Sequence, residues 1–250
     1  MKRSLPWLLA ALLATGGCAG PATRSGTPAS SDAAQLNLRL GLEYMRRGRI
    51  GVAEEKLQKS ISLDDRIPQA HNALAVLYTD RGQFDEAESH YRRALSLDGN
   101  YDLARSNYGD MLCRAGRHAE GIGEYTRIID RSQGIDRLRA MEGRGVCRIA
   151  SGDLDAAERD LREVLETDRF AQQALLGLAE ISLLRGDALA ARGFLQRREA
   201  TAPVSAKSLW LGYQIESALG AAAAQDSYAV RLRTDFPDSH EASQLRRLMR

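Results

Sequence analysis

Four histidines, three cysteines and 33 carboxylates are what this 250-residue chain offers for chemistry, and their spacing sets none of them to catalysis. His71, His90, His118 and His240 stand far apart, at no spacing used to ligate a metal. His71 falls where the surrounding pattern wants a bulky side chain, so packing accounts for it better than ligation. The carboxylates fall mostly at helix starts, as Asp85 and Asp155 do, or beside arginines on helix faces. Capping and solvation explain them there. No nucleophile elbow, phosphate loop or paired His-Glu metal motif occurs. The expectation is therefore a protein that is not an enzyme, with no catalytic residue, metal, cofactor or small-molecule substrate. Cys113 and Cys147 leave two readings open. In an oxidising compartment they could join if their Cα atoms came within about 7 Å; otherwise they are two small buried thiols.

The elements that position these residues are legible from 68 to 101. Leu74, Ala75 and Tyr78 mark one amphipathic helix, and Ala87, Tyr91, Ala94 and Leu95 a second. Gly82 between them suits a left-handed helix end, and Asp85 is expected to cap the second helix. Small residues at Ala75, Ala87 and Ala94 let two antiparallel helices cross closely. This is the tetratricopeptide pattern. It recurs at a period of 34 through Gly41, Ala75 and Gly109, slips by two residues to Gly145, and returns to 34 at Ala179. The extra two residues fit a loosened connection around Ser132-Gln133-Gly134. The predicted fold is all-α: a right-handed superhelical solenoid of about six hairpins at 34–67, 68–101, 102–135, 138–171, 172–205 and 206–239. The last copy has no small residue in phase, since Tyr213 stands there. Residues 240–250 should form a closing helix. A hairpin of this kind cannot bury its apolar face alone, so the array is the folding unit.

Composition agrees. The chain is 44% hydrophobic with only 6 prolines. Its net charge of +2 is supplied by Lys2 and Arg3, and no basic stripe stands out. No nucleic-acid partner is expected.

Residues 1–17 carry those two charges, an apolar run from Leu8 to Ala14 too short to span a bilayer, and then small residues. This reads as a secretory leader. Ala14-Thr15-Gly16-Gly17-Cys18 resembles the lipobox of bacterial lipoproteins. The resemblance implies cleavage before Cys18 and acylation of that residue, although Thr15 departs from the usual leucine. An ordinary cleavage near Ala19 to Ala22 is the alternative. The absence of aspartate after Cys18 implies sorting to the outer membrane. Residues 18–33, rich in Gly, Pro, Ser, Thr and Ala, should form a flexible tether with a reach of roughly 20–25 Å.

The working surface should be the wall lined by first helices. Leu38, Leu42, Met45 and Arg46 point there from the first repeat, Asn72, Val76 and Thr79 from the second, and Ser106, Asn107 and Asp110 from the third. Leu38, Leu42 and Met45 form an apolar strip fit for a partner peptide or helix, unless the tether or a neighbouring helix covers it. Asn72 and Asn107 can each donate to and accept from a peptide backbone.

With leader, tether and repeats assembled, the chain is similar to the type IV pilus biogenesis lipoproteins of the PilF/PilW family. The similarity is carried by Leu40-Gly41-Leu42-Glu43-Tyr44-Met45-Arg46-Arg47-Gly48, Ala70 to Val76, Ser106 to Leu112 and Lys207 to Gly212. It implies a pilotin: an outer-membrane lipoprotein facing the periplasm that helps the secretin subunit reach or assemble in the outer membrane. A general envelope scaffold for outer-membrane or cell-wall machinery is the alternative. Cys113 and Cys147 are not required by that family.

Overall fold

The computed structural model describes residues 28–249, with side-chain surroundings from Ser31 onward. The expected leader, Cys18 and the tether up to residue 27 lie outside the described residues.

The described residues form thirteen α-helices. They pair as α1 (Pro28–Arg46) with α2 (Ile50–Leu63), α3 (Pro68–Asp80) with α4 (Phe84–Leu97), and α5 (Asp102–Arg114) with α6 (His118–Arg131). Then come α7 (Gly134–Ser151) with α8 (Leu154–Thr167), α9 (Gln172–Leu184) with α10 (Ala188–Glu199), and α11 (Ala206–Ala218) with α12 (Ala222–Asp235), closed by α13 (His240–Leu248). This is an all-α tetratricopeptide-repeat fold.

Each hairpin turns on a glycine in the left-handed region. Gly82, at φ 74°, is typical: its N–H bonds the carbonyl of Thr79, and Gln83 N–H bonds that of Tyr78. Where the helices cross, a Cβ on Gly41 would stand 2.7 Å from Leu57, and one on Gly145 equally close to Leu161. The last hairpin obeys the same rule one residue early. Gly212 takes the small position, with the Tyr228 ring 2.4 Å from where its Cβ would be, so the expectation built on Tyr213 was out of phase.

Three other expectations are corrected. α1 begins at Pro28, so residues 28–33 are helix rather than tether; Ala34 is fully buried and its carbonyl accepts from Ser60 Oγ at 2.8 Å. The two inserted residues extend the start of α7, leaving only Ser132-Gln133 between helices. Asp85 and Asp155 are not caps. Each lies in a first turn, where its charge favours the helix dipole. Asp153 caps α8 through Ala156 N–H, while Gln83 starts α4 with no side-chain cap.

First-helix backbones approach one another along the array, α3 with α5, α5 with α7 and α7 with α9, whereas the backbones of α4 and α6, or of α6 and α8, stand farther apart. One side is drawn together and the other splayed, which makes the first-helix wall the inner one. Cys113 and Cys147 are joined by a disulfide, Cα to Cα 5.6 Å, which ties α5 to α7. Gly121 leaves room for the sulfur: a Cβ there would come within 2.4 Å of Cys113 Sγ.

The stacking face repeats too. Ala70, Ala104, Ala140, Ala174 and Ser208 occupy one register position and are essentially covered by the preceding repeat. The first repeat has no predecessor among the described residues, and there Leu36 is 51% exposed.

Candidate protein-binding groove

The predicted wall residues divide sharply. Leu42 is 41% exposed and stays available. Leu38, only 5% exposed, belongs to the core formed by Ala34, Leu57, Ile67, Ala70 and Leu74, and Met45 packs against the same cluster. The neighbouring helices therefore cover most of the expected strip. Arg46 is turned to Glu43 on its own helix.

Asn72 is buried, and its carbonyl accepts from Asn107 Nδ2 at 3.0 Å. These two amides hold α3 to α5 rather than waiting as two free hooks. Thr79 is buried and donates to Ala75 O at 2.8 Å. Val76 packs half-buried beside Ala75, Tyr91 and Leu112. Ser106 is half-buried, whereas Asp110 is exposed to solvent and accepts from the Tyr125 hydroxyl.

What remains open is a row of three pockets. A small one of 180 Å³ lies between α3 and α5, lined by Val76, Asp80, Asp110 and Arg114 among others. A central one of 370 Å³ spans α5, α7 and the start of α9, lined by Leu103, Ser106, Asp110, Tyr125, Glu142 and Val146. A third of 250 Å³ lies between α9 and α11, around Leu184, Lys207 and Trp210. Residues from repeats four to six were missed by the sequence reading. The signal was present: Asp110 and Val146 hold the position of Leu42, and Leu103, Arg139, Gln173 and Lys207 share another. Carrying the register through all six repeats would have found them.

Charges along the row are mostly neutralised in pairs. Arg114 meets Asp80 at 3.2 Å and Lys207 meets Glu180 at 3.0 Å. Glu142 accepts from Ala174 N–H at 3.1 Å and serves the first turn of α9, whose own cap residue, Ala171, has no side-chain oxygen to offer. Burial raises the Glu142 carboxyl above its ordinary value, against that hydrogen bond.

A larger cavity, of 650 Å³, lies elsewhere, between α4, α5 and α6 on the splayed side. Its charged lining is largely paired, Arg105 with Glu124 at 2.8 Å and Arg92 with Glu88 just outside it at 2.7 Å, although Arg105 Nε is buried without a partner. It is the gap that curvature opens, and size alone does not make it the site.

His71 is buried, as packing predicts, but in company. Its Nε2 lies 3.0 Å from Asp65 O and its Nδ1 3.0 Å from His90 Nδ1. The carbonyl needs a donor, so His71 carries its proton on Nε2 and His90 donates from Nδ1. Burial lowers both imidazoles below their ordinary value. No group of three possible metal ligands occurs among the described residues.

The tetratricopeptide-repeat family matches residues 68–101 and, in a second description of that repeat, residues 139–205. No curated protein matches the sequence. Among solved structures the fold is shared with PilF of Pseudomonas aeruginosa, at 23% identity and TM-score 0.67, covering 87% of this chain and 98% of that one. PilW, described as a widely conserved type IV pilus biogenesis factor, matches at 26% identity and TM-score 0.72 with the same coverage. A tetratricopeptide repeat protein from Parabacteroides merdae matches at 15% identity and TM-score 0.75, over 85% of this chain and 82% of that one.

Proposed function

We propose that this tetratricopeptide-repeat chain, similar to PilF and PilW, is a pilotin-like adaptor that binds the secretin subunit of a type IV pilus through its inner wall. Acylated at Cys18, it works at the outer membrane and faces the periplasm. The observation that carries this reading is the likeness to PilW, which runs over 98% of that chain at 26% identity. The groove supplies the means. Its three pockets are preformed on rigid helices, so a partner segment settles without first ordering the receptor. Leu42 and Leu103 offer apolar surface that the fold does not use. The Cys113–Cys147 bridge suits an oxidising compartment such as the periplasm.

Deleting the gene tests the role. The expected result is loss of secretin multimers from the outer membrane and loss of pili. Normal multimers and normal piliation would contradict it. A general envelope scaffold would instead co-purify with cell-wall hydrolases or barrel-assembly proteins and without secretin.

A further inference from the structure

The central pocket of the inner wall differs from its neighbours in how its charges are left. In the small pocket, which also borders Asp110, Asp80 pairs with Arg114, and in the third Glu180 pairs with Lys207. In the central one, Asp110 and Glu142 come from α5 and α7 and neither forms an ion pair. Asp110 takes only the Tyr125 hydroxyl and Glu142 only backbone N–H. Arg139 lines the same pocket but pairs with neither carboxylate.

The surroundings are apolar. Leu103 is 59% exposed and Val146 37% exposed on opposite walls. Beneath them lies the Tyr125 ring, itself almost wholly buried; Gly143 packs on it without a side chain, where a Cβ would stand 2.5 Å from the ring. Two carboxylates between exposed aliphatic side chains suit a long side chain whose stem is apolar and whose tip is cationic.

The geometry points to this pocket as the specificity pocket of the groove, taking a lysine or arginine of the partner segment with aliphatic residues on both sides of it. This rests on the inner wall being the partner-binding surface. The ammonium or guanidinium lies between Asp110 and Glu142, and its stem and the flanking aliphatics meet Leu103 and Val146. An acidic segment would be repelled, so the pocket sets which stretch of the partner is chosen and in which register.

The test is selection from a random twelve-residue phage-displayed library on the immobilised full-length chain, repeated on Asp110→Asn/Glu142→Gln. Both replacements keep an oxygen to accept from Tyr125 and Ala174 N–H, so the fold is retained. Wild-type protein should enrich peptides with a central Lys or Arg between aliphatic residues. Changing that residue to norleucine should weaken a selected peptide at least tenfold on wild type and under threefold on the double variant. Enrichment without a basic residue, or the same preference on the double variant, overturns the pocket and leaves the groove standing. Failure to enrich any peptide, or peptides unaffected by Leu42→Glu and Leu103→Glu, overturns the groove and the pocket with it.

Discussion

Cys113 and Cys147 bridge the third and fourth first helices across the place where the repeat slips from 34 to 36 residues, their Cα atoms 5.6 Å apart. The slip brings two positions of different register face to face, so the joint with the least regular stacking carries the covalent tie. Closing a loop of 34 residues restricts the unfolded chain by about 3–4 kcal/mol in the loop-entropy description. Denaturant unfolding with and without reductant should show a lower midpoint for the reduced protein, matched by Cys113→Ser/Cys147→Ser. Equal midpoints would mean that the bridge constrains nothing.

The two kinds of small residue should fail for different reasons. Ala87 is fully buried where α3 and α4 cross, so Ala87→Leu overpacks and should cost about 1–3 kcal/mol. Gly82 has nothing within 4 Å of a built Cβ, and its φ of 74° is the obstacle. There Gly82→Val should cost about 1–2 kcal/mol from backbone strain. Gly82→Asn, which tolerates that region, should recover much of the loss while Ala87→Asn should not. Thermal melts of the four variants decide it.

The stacking face makes a sharper comparison. Leu74 is buried under the preceding repeat, and Leu74→Ala should cost about 2–5 kcal/mol. Leu40, its counterpart in the first repeat, is 37% exposed, and Leu40→Ala should stay within about 1 kcal/mol. Comparable losses at both sites would mean that something covers the outer face of α1.

The His71–His90 pair sets a pH dependence. Folding lowers both imidazoles below 6.5, so the unfolded chain binds protons more readily. The stability the pair contributes is complete above pH 6.5 and falls as the pH drops below it. Asp65 and Arg93 face His71, the one favouring its charged form and the other opposing it, and Tyr78 stacks on His90 at 5.6 Å. Melting temperatures from pH 7.5 to 5.0 should decline more steeply for wild type than for His90→Gln. Parallel curves would remove the pair from the account.

Much of the fold was legible because the repeat is a packing rule written in residue size. Gly41, Ala75, Gly109, Gly145 and Ala179 are small where an aromatic or leucine crosses, and the glycine turns keep phase. The rule failed at Gly212, where the small residue moved one place and phase alone could not follow it. The wall was harder to read. Leu38 and Leu42 look equivalent on one helix, but the covering of Leu38 comes from the next hairpin, at Ala70 and Leu74. The disulfide left one trace in the sequence, Gly121 at a position held by alanine in Ala53, Ala87, Ala157 and Ala191. That glycine has meaning only once sulfur is known to occupy the space.

The account stands on the inner wall as the surface that holds a partner, and binding of purified secretin periplasmic domains to Leu42→Glu/Val146→Glu tests it most directly. Both side chains are exposed, so the variant should melt within a few degrees of wild type. The account predicts a loss of affinity of at least tenfold, with no loss for Arg92→Ala/Arg127→Ala on the splayed side. Unchanged binding by the inner-wall variant, or binding lost only on the splayed side, would contradict it.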